Sequence, residues 1–187
     1  HCGEKIALYI HGDPVDSEFE EIELQDLMPI EKVIFDSETV APRSMLDFLW
    51  VNEVILGGNI RSIASGAFAQ RRSPYIPRLK AINVIDPQEE GYYSCDGVLL
   101  YRDSIHDKFV KFPSGKMLSS YTIPGREKRL MLINGDAFED AFFLNEIVIE
   151  CPCLIPPDAF AHAPHLRQVV FRGNGVCLLY TSPSPRD

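Results

Sequence analysis

Cys151-Pro-Cys153, followed by His162 and His165, is the densest group of metal-ligating side chains in the sequence. Four sulfur and nitrogen donors in so short a span would bind zinc if they converged. The spacing works against convergence. Structural zinc sites place two to four residues between paired cysteines, and one intervening residue in extended chain sends the thiols to opposite faces. No metal is expected here, and His162 and His165 read as surface positions. Hydrolysis would need paired carboxylates or a nucleophile held against a base. Carboxylates are plentiful in DSEFEEIELQD, Asp16 to Asp26, but a charge run is ordinarily a solvated face. Neither a nucleophile elbow, nor a glycine-rich phosphate cradle, nor a zinc-protease helix occurs. The expectation is therefore no enzyme and no cofactor.

Composition narrows the class further. The 187 residues are 45% apolar and 24% charged, which fits a globular chain with a sizeable core. A net charge of −9 argues against a broad nucleic-acid face, which would need surplus Lys and Arg to neutralise phosphates. No apolar run is long enough to cross a bilayer as a helix. The five cysteines, Cys2, Cys95, Cys151, Cys153 and Cys177, show no regular disulfide spacing and leave the redox compartment open. A bridge involving Cys95 or Cys151 remains an alternative.

What must position any functional residue is a repeat. Ile133 to Ile149 and Ile155 to Phe171 align without a gap as Ile-x-x-Asp-Ala-Phe-x-x-Ala-x-x-Leu-x-x-aliphatic-Val-apolar, and Phe138 and Phe160 lie 22 residues apart. Ile63, Ala67 and Phe68 repeat the first half. The second half, apolar-x-x-apolar-x-apolar, recurs at Ile30/Val33/Phe35, Val51/Val54/Leu56, Leu79/Ile82/Val84, Leu118/Tyr121/Ile123, Leu144/Ile147/Ile149 and Leu166/Val169/Phe171, with a weaker trace at Leu8/Ile10. The apolar-x-apolar ending has the period of a short strand. Asp136, Asp158 and Ser65 are placed to cap brief helical turns in the return path. A unit of this size cannot bury its own apolar edge, so successive units must stack into a solenoid. The expected fold class is an α/β repeat with one short parallel strand per unit, and Phe68, Phe138 and Phe160 are expected in one shared interior.

These residues resemble the BspA-like group of leucine-rich repeats, found in surface and secreted proteins of gut and oral bacteria and some protists. Its unit, L-x-x-I-x-I-P then V-x-x-I-G-x-x-A-F, is similar to Leu144/Ile147/Ile149, Tyr121/Ile123/Pro124, Ile60/Ile63/Ala67/Phe68 and Leu130/Ile133/Ala137/Phe138. The family often carries Cys three residues after Phe, where this chain has Arg71, Ala141 and Ala163. The resemblance implies cell-surface or secreted localisation and a protein or host-surface ligand.

Two insertions interrupt the spacing. The longer, over about 90–116, holds YYSCDGVLLYRD, in which Asp96-Gly97 between β-formers signals a hairpin. It displays Tyr92, Tyr93 and Tyr101, which read either as an interaction arm or as a flap covering the sheet edge. The shorter, QRRSPYIPR, carries Arg71, Arg72 and Arg78 and reads as a solvated loop. The outward middle residues of the strands, Ile34, Ile55, Asn83, Thr122, Val148 and Val170, should form a line across the exposed sheet face, four of the six aliphatic. Such a stripe is a candidate partner surface; the alternative is that β-branched residues stand there simply because they suit strands. The organisation expected is a divergent repeat or preceding segment over 1–29, a solenoid over 30–176, and a disordered tail over 177–187 that resembles the translation of a sequencing adaptor. The function expected is a non-enzymatic binding or adhesion module, without nucleic acid or membrane insertion; the alternative is a targeting appendage on a larger secreted enzyme.

Overall fold

The computed structural model describes residues 6–11, 30–36, 39–40, 50–64, 66–68, 77–125, 129–172 and 177–179. The chain opens with β1 (Ile6–His11) and then winds in coils that carry two strands each: β2 (Ile30–Asp36) and β3 (Thr39–Val40), then β4 (Glu53–Gly57) and β5 (Ser62–Ile63). β6 (Ala81–Ile85) is followed by a hairpin of β7 (Gly91–Cys95) and β8 (Val98–Arg102), and then by β9 (His106–Lys111). Three more pairs follow: β10 (Ser120–Ile123) with β11 (Leu130–Ile133), β12 (Glu146–Ile149) with β13 (Cys153–Ile155), and β14 (Gln168–Phe171) with β15 (Cys177–Leu179). The result is a β-solenoid of stacked parallel strands.

Every copy of the apolar-x-x-apolar-x-apolar motif supplies a strand of the first face. β1-β2-β4-β6 form one parallel sheet and β10-β12-β14 another. The register aligns equivalent positions, Leu8 with Val33 and Val54, Tyr121 with Ile147 and Val169. Inward residues such as Val33, Val54, Leu56, Ile82, Leu144 and Ile147 are fully buried. Inter-coil hydrogen bonds continue round the corners: Asn52 N–H donates to the Glu31 carbonyl (2.7 Å), Lys80 to Asn52 (2.7 Å), Asn145 to Ser119 (2.8 Å) and Arg167 to Asn145 (2.9 Å).

Three expectations are corrected. First, the class is not α/β: no helix occurs among the described residues. The Ala-Phe return path is a chain of tight turns, in which Ala137 N–H bonds the Asn134 carbonyl (3.1 Å), Ala141 bonds Phe138 (3.1 Å), Ala159 bonds Pro156 (3.2 Å) and Ala163 bonds Phe160 (3.3 Å). Each turn closes between residues three apart, which leaves too few residues for a helical ladder. The Asp136 carboxylate, expected as a helix cap, instead accepts from Gly66 N–H (3.3 Å); Ser65 lies outside the described residues.

Second, each coil carries two strands rather than one. The segments ending in Ile133 and Ile155 alternate like strands, with Met131, Ile133, Cys153 and Ile155 buried. They build a second face, β15-β13-β11-β9, that stays parallel until β8 and β7 join it antiparallel. The ladder includes Cys177–Leu179, inside the segment expected to be a disordered tail. That triplet lies 24 residues after Cys153 and pairs with it in register.

Third, the interior is divided. Phe138 and Phe160 pack at 5.5 Å between ring centroids, in a core shared with Phe109, Phe112 and Tyr121. Phe68 belongs to a different core with Phe35, Leu56 and Leu79. The divider is β8. Alternate residues of a strand point to opposite faces, so Leu99 enters the first core while Val98 and Leu100 enter the second, all three fully buried.

Candidate binding surfaces

The first face outside β1, β2, β4 and β6 is a grid set by register. Tyr9, Ile34, Ile55 and Asn83 form one row. Ile34, Ile55 and Asn83 are half-buried by their neighbours, while Tyr9 is 61% exposed and Ile85, two residues beyond Asn83, is 51% exposed. A shallow depression of about 380 Å³ includes Tyr9, Ile34, Ile55 and Ile85 in its lining. Polar contacts border the row: Lys32 Nζ meets Glu53 at 2.8 Å, Asn83 Nδ2 donates to Glu53 Oε1 at 2.8 Å, and His11 lies 3.4 Å from Asp36.

The expected line does not run on unbroken. Thr122, Val148 and Val170 align across β10, β12 and β14, but β6 and β10 lie in separate sheets. Val148, expected outward and open, is buried to 3% exposure between Thr122 and Val170. Beside this row runs a polar ladder: Ser120 Oγ donates to Glu146 Oε1 (2.6 Å) and Gln168 Nε2 to Glu146 Oε2. These bonds hold the exposed Glu146 carboxyl below the usual range, Ser120 contributing most.

The hairpin is built as its sequence signals. Asp96 and Gly97 both take positive φ, 49° and 71°, as a two-residue turn demands. A Cβ on Gly97 would stand 2.8 Å from Ala81 Cβ, so the turn docks backbone-close on β6. Ile82 N–H donates to the Gly97 carbonyl (2.8 Å) and Val84 N–H to Ser94 Oγ (3.1 Å). The hairpin is thus a joint between half-solenoids. Its aromatic residues separate by face: Tyr93 packs against the second core, under the Arg102 guanidinium (4.4 Å), and Tyr92 against the first. Tyr92 meets Tyr101 edge-on at 5.0 Å. Burial and the neighbouring Tyr101 push the Tyr92 hydroxyl above its usual pKa, opposed by a hydrogen bond from the Ile63 backbone. Of the second insertion, Arg71 and Arg72 lie outside the described residues; Arg78 covers the Trp50 ring at 3.4 Å.

Cys151 and Cys153 are buried, and Cys95 is exposed and unbridged. The His165 ring stands edge-on to Phe142 at 4.6 Å, and His162 offers its carbonyl to Asp140 N–H (2.9 Å). Among the described residues no three His, Cys, Asp or Glu side chains gather in a metal-binding group.

Sequence reasoning missed the charged residues of β9. Asp107, Phe109 and Lys111 all point inward, the two charges at 2% and 4% exposure. Burial of a charge is tolerable only with partners. Lys111 Nζ donates to the carbonyls of Asp136 (2.9 Å) and Glu139 (3.1 Å), which ties β9 to the turn carrying Phe138. Asp107 accepts from Arg129 Nε (3.2 Å), and Arg129 also reaches the carbonyls of Asp103 (2.6 Å) and His106 (2.9 Å). The only available signal was Phe109 between them, whose inward position fixes the register of its neighbours two residues away.

No protein-family model matches the chain, and no curated protein matches it. Among solved structures it is similar to the pneumococcal vaccine antigen PcpA, at 19% identity and a TM-score of 0.46, over 79% of this chain and 50% of that one. It is similar also to a leucine-rich cell surface protein from Faecalibacterium prausnitzii, at 12% identity and a TM-score of 0.41, over 78% of this chain and 52% of that one. A leucine-rich repeat protein from Eubacterium ventriosum aligns at 13% identity and a TM-score of 0.35, over 90% of this chain and 68% of that one. The chain spans about half the length of the first two.

Proposed function

We propose that this chain is a non-enzymatic binding or adhesion module, secreted or held at a cell surface, which presents its first sheet face and its hairpin to a protein or host-surface ligand. The observation that carries this reading is the row Tyr9, Ile34 and Ile55 with exposed Ile85 nearby. An apolar strip on a rigid parallel sheet offers area and fixed spacing, which is how stacked repeats engage partners. Asn83, Thr122, Val148 and Val170 extend the contact surface on either side of the joint, with buried Val148 supporting its neighbours. Tyr92, Tyr93 and Tyr101 belong to the hairpin part of that surface.

The test is attachment of the purified chain to epithelial cells and to matrix-protein-coated surfaces. The double substitution Tyr9→Ser, Ile85→Ser should cut attachment by about tenfold or more, since a few central apolar residues dominate an interface. Its melting temperature should barely move, because both side chains already face solvent. Undiminished attachment by a folded double variant would overturn the reading.

A further inference from the structure

Both ladders break at the same level of the solenoid. β6 and β10 are not paired on the first face, and β5 and β9 are not paired on the second. The break on the second face leaves a cleft of about 450 Å³, whose lining includes Arg61, Tyr92, Tyr101, Lys108, Asn134 and Asp136. We propose that this cleft binds an acidic saccharide, a sugar ring carrying a carboxylate.

Charge is the first argument. The chain as a whole carries −9, yet the cleft's lining sets Arg61 and Lys108 against the single carboxylate of Asp136, with Lys108 also 4.0 Å from Asp103 and Lys111 turned inward onto the carbonyls of Asp136 and Glu139. The Asp136 carboxylate is already turned to Gly66 N–H at 3.3 Å. A concave site of opposite sign to its protein attracts an anion and concentrates it. Shape is the second. Tyr92 and Tyr101 are half-buried and locked edge to face, and Lys108 sits over the Tyr101 ring at 4.9 Å. They give the cleft a fixed aromatic wall, which suits a sugar's C–H face. The Asn134 amide offers both donors and an acceptor. The volume lies within the usual range for small-molecule sites, and an adjoining depression that shares Arg61 and Tyr101 gives a longer oligosaccharide room to continue.

An acidic peptide fits less well. Peptides recruited beside a sheet add as a strand to an open edge. Here β9 is already paired on both sides, by β8 and β11, and β5 is only two residues long.

The inference rests on the hairpin part of the proposed surface and not on the sheet face, so the Tyr9→Ser, Ile85→Ser variant should bind saccharide normally whatever happens to its attachment. The full chain is titrated by NMR with methyl glucuronide and, separately, with methyl glucoside. Glucuronide should bind at least about fivefold more tightly, the gain expected of one charge-assisted contact. Arg61→Gln with Lys108→Gln should erase that preference at an unchanged melting temperature, and Tyr101→Leu should weaken both sugars. Equal binding of the two sugars, binding of neither, or a preference that survives the double substitution would overturn the proposal. A hexaglutamate peptide that binds more tightly than glucuronide would likewise replace the sugar by a peptide.

Discussion

The two half-solenoids on either side of the hairpin use the same coil in different ways. In the first, the interior is mainly aliphatic, with Val33, Val54, Leu56, Leu79 and Ile82 beside Phe35 and Phe68. Its outer face carries exposed Tyr9 and Ile85. In the second, the interior is an aromatic stack in which Phe138 lies 4.8 Å from Phe109 and 5.5 Å from Phe160, with Tyr121 edge-on to Phe112 at 5.1 Å. Burial there drives the Tyr121 hydroxyl pKa upward. Its outer face carries the Ser120–Glu146–Gln168 ladder. One backbone register therefore supports two surface chemistries, because inward and outward positions alternate and vary independently.

The contrast breaks if the halves melt as one body. Phe138→Ala should cost about 4 kcal/mol by leaving a cavity in the aromatic stack, and hydrogen exchange should accelerate in β10 to β14 well before β1 to β6. Leu99→Ala should cost about 3 kcal/mol and produce the converse pattern; uniform acceleration in either variant would mean a single cooperative unit. Gly97→Ala, which forces a side chain into positive φ and against Ala81, should cost about 1–2 kcal/mol and loosen both halves together, readable as a lower urea midpoint. The smallest effect sharpens the surface difference. Glu146 has a lowered pKa in the folded chain, so its stabilising contribution is complete above the unfolded value and disappears as pH falls through the folded one. Between pH 6 and 3 the Glu146→Gln variant should therefore lose less of its melting temperature than the unaltered chain.

The first-face strands were legible because their apolar residues repeat in phase and pack in register, as Tyr121, Ile147 and Val169 do. Asp96-Gly97 was legible because few sequences tolerate two successive positive φ values. The second strand of each coil was hidden, since Met131/Ile133 and Cys153/Ile155 are so short that they read as part of the return path. Helical capping by Asp136 and Asp158 was a plausible local signal overruled by the turns around them. The hairpin was read as either an interaction arm or a flap covering the sheet edge; what neither reading contained is that the run Val98, Leu99 and Leu100, a signal of burial on both faces, would be shared between two cores. Of the candidate site, the row through Ile34 and Ile55 was legible from strand period alone. Its interruption before Thr122 and the gathering of Arg61, Lys108 and Tyr101 depend on tertiary placement, which spacing does not encode.

Because β8 gives one side chain to the first core and two to the second, it fixes how such a chain can change length. Whole coils can be duplicated or deleted inside either half without altering the join, as each new turn meets copies of its old neighbours. A coil added across the hairpin would strand Leu99 on one side or Val98 and Leu100 on the other. Growth and shortening should therefore leave a segment near 79–116 constant in length while the flanks vary around it.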